Sequence, residues 1–221
     1  MKKLTPTFLL LLIIAIPSAL NAQGFALGAR AGTLGFGGEV ALSLSDNLSV
    51  RGGLGSFFYE YEDELEGVDY TISPPSMTAT VGIDVYPWGG SFRLIGGIMF
   101  RDGDFEAESG DLSQVGSIDI GDETFDDVDG RLFGTLTTNS TAPFVGMGFG
   151  NHTQGGFGFF IDFGVAFVGE PDVDLRAEGP VTSNQLFMSE LAKEERAIQD
   201  DAGGYLKYWP ILNLGVKIPF K

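Results

Sequence analysis

The sequence predicts an all-β protein: an antiparallel, up-and-down transmembrane β-barrel of about eight strands with one short loop helix. Two observations carry this prediction. Side chains alternate, in segment after segment, between large apolar residues and small or charged ones, which is the period of a strand with two different faces. Beyond the N-terminus, no apolar run approaches the ~20 residues of a spanning helix, and a closed barrel is the other structure that satisfies its backbone polar groups in lipid.

The clearest alternation is the stretch GFGFFIDFGVAFVG at 156–169. From 157 to 167 its odd positions carry only large apolar side chains, whereas its even positions are mostly small and include Asp162. The same sorting recurs at 77–86, 92–101 and 211–220, and each time the charged residues share the small-residue face. A soluble sandwich or lipocalin-like barrel would carry Lys, Glu and Thr on that second face. Its Gly, Ala and Ser instead favour a narrow polar interior inside a lipid-facing wall.

An even number of strands is typical of bacterial single-chain barrels. The alternation predicts strands at 25–33, 35–45, 47–61, 69–87, 91–105, 131–149, 156–170 and 205–220. Near Thr33 the outward-facing residues change from odd-numbered to even-numbered positions. Residues 25–45 therefore form either two strands joined by a turn or one strand with a bulge.

The predicted connections differ in length on the two sides of the barrel. Short turns at 45–47, 87–91 and 151–156 fall on the side of both termini, as periplasmic turns do. The opposite side carries longer acidic loops at 62–68, 106–130 and 171–204.

The last of these loops contains the predicted helix, at 184–203, with Ser189 as its cap and Gly203 and Gly204 as its end. It either covers a barrel mouth or lies solvated in the loop, and the second interpretation is favoured.

Residues 1–22 have the layout of a secretory signal peptide: Lys2 and Lys3, an apolar run at 8–16, and a small residue, Ala22, for cleavage. The alternative, a membrane anchor, is disfavoured because the run is too short. Residues 23–221 are then the barrel domain. The chain has no cysteine, and hence neither disulfides nor a lipid-bearing cysteine. Its net charge of −17 argues against a nucleic-acid partner.

The interior of an eight-stranded barrel is just wide enough for side chains to fill it. Unpaired charges in such a space are costly, so the inward charged residues predict a lumen network of ion pairs and waters. These residues are Arg30, Glu39, Arg51, Asp84, Arg93, Arg101, Asp162 and Lys217. We expect arginines or Lys217 to hold Asp162. The alternative is a proton, ion or ligand pathway through the same side chains.

No catalytic, cofactor or metal site is predicted. The single histidine, His152, falls on a predicted periplasmic turn, and Gln154 rather than serine stands two residues later. Eleven carboxylates lie between Asp102 and Asp129, but Phe125 occupies the first place of the calcium-loop pattern. Weak divalent-cation binding near lipopolysaccharide is an alternative to simple solubility of an outside loop.

The C-terminal sequence NLGVKIPF resembles the signal by which the barrel assembly machinery recognises its clients, with Asn213, Gly215, Ile218 and Phe220 in the matching places. Lys221 after the aromatic residue and Pro219 before it depart from the pattern. Over essentially the whole mature chain, the sequence resembles the small eight-stranded outer-membrane barrels of Gram-negative bacteria, of the OmpA or OmpW type. The resemblance implies an outer-membrane location, contact with lipid and lipopolysaccharide, and insertion by that machinery. It implies no particular activity.

A structural or interaction role is therefore expected. A narrow pore or small-ligand transport channel is the alternative, and a lipid-modifying enzyme is disfavoured. The sequence identifies no small ligand.

Overall fold

The computed structural model describes residues 24–58, 61–65, 68–150 and 156–220. The predicted signal peptide, His152 and Gln154 lie outside the described residues. In chain order, the strands are β1 (Phe25–Gly32), β2 (Phe36–Ser45), β3 (Leu48–Ser56), β4 (Tyr61–Leu65), β5 (Val68–Ser73), β6 (Met77–Val85), β7 (Phe92–Asp102), β8 (Phe105–Ser109), β9 (Ser117–Ile120), β10 (Glu123–Asp126), β11 (Arg131–Thr137), β12 (Thr141–Phe149), β13 (Gly158–Phe167), β14 (Asp172–Glu178) and β15 (Tyr208–Phe220). One α-helix, α1, spans Gln185–Tyr205.

Eight of these strands close into an antiparallel barrel in the order β1-β15-β13-β12-β7-β6-β3-β2. The barrel closes because β15 pairs with β13 on one side and with β1 on the other. The predicted eight-stranded barrel is thus confirmed. Residues 25–45 form two strands rather than one bulged strand, since the chain turns at 33–35, where Gly35 has a φ of 81°.

Five further strands form a second sheet beyond the end of the barrel that is opposite both termini, in the order β14-β11-β8-β5-β4. Each is joined along the chain to one of the barrel strands β13, β12, β7, β6 and β3, and the two orders match. The sheet therefore continues one side of the barrel wall. We call this sheet, the β9–β10 hairpin and α1 together the outer domain.

The outer domain corrects the predicted bounds of three strands and the prediction of two loops. The predicted strands 69–87 and 131–149 are each two strands, and the strand predicted at 47–61 ends at Ser56. Pro74 and Pro75 separate β5 from β6 because proline cannot donate to a strand ladder. The predicted acidic loops at 106–130 and 171–204 contain strands, and the second also contains the helix that the sequence predicted there.

The helix α1 also differs from its prediction. Its N-terminal cap is Asn184, whose Oδ1 accepts hydrogen bonds from the backbone N–H groups of Leu186 (3.1 Å) and Phe187 (3.2 Å), whereas Ser189 lies inside the helix. The helix runs through Gly203 and Gly204 to Tyr205. It is not a solvated loop helix, because Phe187 and Leu191 are buried in one apolar cluster with residues of the outer sheet and the β9–β10 hairpin.

The core of the outer domain lies between the sheet, α1 and the β9–β10 hairpin. Burying side chains of this kind is the main favourable contribution to folding. Its buried members are Val68, Leu112, Ile118, Ile120, Phe125, Val128, Leu132, Val181, Phe187 and Leu191.

Large apolar side chains cover the outside of the barrel. The most exposed include Leu54, Val81, Leu94, Ile98, Val145, Phe159, Leu214 and Ile218. Exposed apolar surface of this extent on a closed barrel, with buried charged side chains in its interior, is the arrangement of a membrane-spanning barrel. Near the termini, Trp88, Phe92 and Phe149 form an aromatic cluster with ring centroids 5.2 and 5.5 Å apart, as in an interfacial girdle.

In the described part of the chain, no helix combines the length and apolar character needed to cross a bilayer.

Candidate functional site

Asp162 is the centre of an ion-pair cluster inside the barrel. Its Oδ2 lies 2.6 Å from Nη1 of Arg51, and its Oδ1 accepts a hydrogen bond from Nη2 of Arg93. Arg51 also lies 3.4 Å from Asp84 and 3.6 Å from Glu39, and Asp84 is 3.7 Å from Nε of Arg93. All five side chains are at least nine-tenths buried. Ion pairs among fully desolvated groups are sensitive to the loss of any one partner.

The strand order explains how this cluster forms. Asp162 on β13 and Arg93 on β7 are both in register with Gly148 of the intervening β12, so their side chains meet over a residue that has none. Arg51 comes from β3, four strands away from β13 and hence on the opposite wall. The Arg51–Asp162 pair therefore crosses the lumen and links its two walls.

An apolar layer fills the half of the lumen nearer the outer domain. Its members pack as one cluster, and Trp209 is packed against them. The buried residues are Leu34, Ile95, Met99, Ala142, Phe144, Ala166, Val168 and Ile211. Because water gains no hydrogen-bond partners from such side chains, this layer separates the charged cluster from the mouth of the barrel.

Arg101 lies at that mouth rather than in the central cluster. Its guanidinium carbon lies 5.2 Å from the Trp209 ring centroid and 6.0 Å from that of Phe105, within cation–π range. Its Nη2 donates to Oγ1 of Thr138 at 2.5 Å. The indole N–H of Trp209 donates to the carbonyl of Thr33 at 3.1 Å. These contacts tie β7, β15 and the β1–β2 turn together across the opening.

Two of the other residues predicted for the network are also buried in the lumen. Arg30 donates to Oγ1 of Thr80 at 3.3 Å. Lys217 lies on β15 toward the terminal side, where β15 is in register with Gly28 and Gly158. The ion pairs given above thus join Glu39, Arg51, Asp84, Arg93 and Asp162, whereas Arg101 belongs to the mouth.

The residues of the predicted assembly signal all have contacts within the fold. Asn213 is buried in the lumen, and a Cβ on Gly215 would lie 2.2 Å from the ring of Phe160. Ile218 faces outward, and Phe220 stacks on Phe25 with ring centroids 4.9 Å apart. Recognition by the barrel assembly machinery stays a prediction.

Three inward aromatic residues were not included in the predicted lumen network. Tyr86, Phe160 and Trp209 point into the barrel, and Arg93 lies 5.7 Å from the Phe160 ring centroid. The sequence did indicate this position, since each aromatic residue lies on the same alternating face as the inward charged residue of its segment. Phe160 falls on the same face as Asp162, whereas the size of Tyr86 and Trp209 and their place near the barrel edges favoured an outward position at the membrane interface for these two. In a closed barrel, the same size fills the lumen.

Within the residues that the structure describes, no group of three or more His, Cys, Asp or Glu side chains is placed to hold a metal ion.

No known protein family matches the chain, and no curated protein matches its sequence. Among solved structures, CarO2 of Acinetobacter baumannii is similar with a TM-score of 0.64 and 21% identity, over 90% of this chain and 100% of that one. CarO of the same organism gives a TM-score of 0.62 and 21% identity, over 88% and 97%. A major outer membrane protein of Thermus thermophilus gives 0.45 and 14%, over 90% and 100%. The likeness to the two CarO structures shows the fold: a closed eight-stranded barrel carrying one helix.

Proposed function

We propose that this protein is a structural barrel of the Gram-negative outer membrane, with a closed lumen and an outer domain that serves interactions at the cell surface. Its role is not enzymatic, and its partners in the membrane are lipid and lipopolysaccharide. The relation to barrels of the OmpA or OmpW type and insertion by the barrel assembly machinery belong to the same proposal.

The filled lumen is the observation that carries this proposal. Arg51 and Asp162 pair across the lumen, with Nη1 of Arg51 2.6 Å from Oδ2 of Asp162. The apolar layer with Met99 and Phe144 lies between that pair and the mouth. A continuous water path is needed to conduct ions through a pore of this width. The lumen thus holds two successive layers, one of ion pairs and one of apolar side chains. Both connect the walls of the barrel, which supports a structural role.

A narrow pore or small-ligand channel is the second candidate. The buried charges favour it, since inward charged residues line ion paths in other membrane proteins. A cavity of about 20 Å³ between Arg30, Thr80 and Asn213 is large enough for about one water molecule. A chain of such waters would be the minimum conducting path.

Conductance across a planar bilayer tests the proposal. The full chain is refolded, and its barrel is verified by a heat-dependent shift in gel mobility. We expect no discrete conductance steps from the native protein. Reproducible steps that change when Asp162→Asn alters the lumen charge would overturn the closed-lumen proposal and favour the channel.

A further inference from the structure

A cavity of about 450 Å³ lies in the outer domain, between the apolar face of the five-stranded sheet and α1. Its floor includes Tyr70, Ile72 and Leu132, and its roof includes Leu191 and Ile198 of α1. The volume is within the ordinary range for small-molecule sites, ~300–1,000 Å³. This cavity is separate from the lumen and plays no part in the closure described above.

Two small residues at the middle of the sheet create the cavity. Ala107 of β8 and Gly134 of β11 are in register, and the same row continues to Ile72 on one side and Leu175 on the other. A Cβ on Gly134 would lie 3.8 Å from Cβ of Ala107 and 3.3 Å from Cδ2 of Leu175. A small side chain therefore fits at residue 134 with a slight movement of Leu175. The backbone does not require glycine here, and the cavity exists because residue 134 has no side chain.

One carboxylate interrupts the apolar lining of the cavity. Glu194, half-buried on α1, lies there beside Tyr70. Asp119 of β9 also borders the cavity, but its side chain is exposed, alternates with the buried Ile118 and Ile120, and accepts a hydrogen bond from the Thr124 hydroxyl at 2.6 Å. Apolar walls with a few polar groups at fixed positions are the usual composition of a specific site.

We propose that this cavity binds a small organic cation: a protonated amine carried on an apolar or aromatic body. The body replaces water against Ile72, Leu132 and Ile198, and the ammonium group lies beside Glu194. Charge complementarity selects this occupant, because an anion of the same shape would meet the Glu194 carboxylate in a chain of net charge −17. The inference goes beyond the proposed function and depends on the outer domain, not on whether the lumen conducts.

Two probes of the same body and opposite charge test the proposal: naphthylmethylammonium and naphthylacetate. The full chain is reconstituted in nanodiscs of zwitterionic lipid, and binding is followed by naphthalene fluorescence anisotropy against empty nanodiscs. We expect the ammonium probe to bind at least about tenfold more tightly than the carboxylate probe, the usual size of a charge-assisted contact. Equal binding, or no binding of the ammonium probe, would overturn the proposal.

Variants locate the site. Gly134→Leu fills the cavity and should abolish binding, whereas Thr135→Leu, the next residue on the opposite face of β11, should not. Glu194→Gln should reduce the preference for the ammonium probe, whereas Glu178→Gln, on the opposite face of the sheet, should leave it unchanged. Each variant is first checked for the heat-dependent gel shift and for native circular dichroism.

Two further outcomes would contradict the proposal. Binding that persists in folded Gly134→Leu would place the probe elsewhere. A dimer in nanodiscs that Gly134→Leu dissociates would show that a second copy of the chain occupies the cavity. Bilayer conductance is measured separately, so failure of this site and failure of the closed-lumen proposal are distinguishable.

Discussion

The carboxylate of Asp162 compensates two guanidinium groups at once, those of Arg51 and Arg93. Replacing it with the isosteric amide, Asp162→Asn, keeps the shape and removes the charge. We expect the free energy of unfolding to fall by about 3 kcal/mol, since removal of one partner leaves buried charge uncompensated. Urea unfolding of the protein in lipid bilayers measures the change.

A matched control is Asp46→Asn, a carboxylate in the exposed turn between β2 and β3. It should change the free energy of unfolding by less than about 0.5 kcal/mol, as surface substitutions do. Equal stability of the two variants would show that the cluster contributes no net stability.

At the residue level, parity predicted that every charged member of the network points inward, and all eight are buried. Parity could not predict which of them pair. Arg51 and Asp162 are 111 residues apart and meet because β3 and β13 face each other across the barrel, which only the closed strand order determines. The position of Arg101 depends similarly on Phe105, which the sequence did not separate from β7.

The helix α1 covers one edge of the outer sheet. Glu195 Oε2 accepts from the backbone N–H of Leu175 at 2.9 Å, and Gln199 Oε1 accepts from that of Val173 at 2.8 Å. Gln199 also donates to the carbonyl of Pro171 at 2.7 Å. These side chains replace the strand that β14 lacks on that side, which protects an edge otherwise open to pairing with another chain.

Glu195→Ala should therefore increase hydrogen exchange at the Leu175 amide by about fivefold, equivalent to about 1 kcal/mol for one lost hydrogen bond. Glu195→Gln retains an acceptor and should stay close to the native rate. Arg196→Ala, on an exposed neighbour, is the control. Unchanged exchange at Leu175 in Glu195→Ala would mean that this bond does not protect the edge.

A second link joins α1 to the β9–β10 hairpin through Glu190. The Lys193 ammonium, 2.6 Å from Glu190 Oε1, and the Asp122 backbone N–H, 3.2 Å from Oε2, hold the pKa of Glu190 below its usual value. A lowered pKa in the folded state stabilises the fold above the ordinary glutamate pKa of about 4.3. That contribution is lost as the pH falls below this value and through the lower pKa of the folded state.

Acidification below about pH 4 should thus speed hydrogen exchange in the β9–β10 hairpin before it affects the barrel. Glu190→Gln should show faster exchange already at neutral pH and a weaker dependence on pH. Glu123→Gln, an exposed residue of the same hairpin, should behave as the native protein. An identical pH profile for native protein and Glu190→Gln would exclude this link.

The elements of the barrel were easier to predict than those of the outer domain. Strands such as β13 contrast an apolar face with a small one because lipid covers one side. In the outer domain, β8 and β14 alternate charged residues with alanine, valine or leucine over only five and seven residues. Such short polar segments are also typical of loops, and their strand structure depends on pairing with neighbours distant in sequence.

At the scale of the whole molecule, the apolar layer of the lumen limits its permeability. Met99→Ala with Phe144→Ala removes two of the larger side chains from that layer while leaving the Arg51–Asp162 pair intact. We expect this double variant to conduct ions in a planar bilayer above the background of the native protein. Val81→Ala with Val145→Ala, on the outer wall, should not.

If the double variant folds, as its heat-dependent gel shift would show, and stays closed, the charged cluster alone is enough to seal the barrel. That result would show that the ion pairs, and not the apolar layer, prevent ions from passing through the lumen. It would leave the proposed closed lumen in place, because both layers belong to it.

The matching strand orders of the barrel and the outer sheet affect how the protein is assembled. In the proposed outer-membrane orientation, the chain between β3 and β6, between β7 and β12, and between β13 and β15 has to cross to the cell exterior, yet the finished lumen is filled with side chains. Since the wall closes where β15 meets β1, translocation of these segments must precede sealing of that seam. We therefore expect the outer sheet and α1 to fold last, in the strand order already set by the barrel.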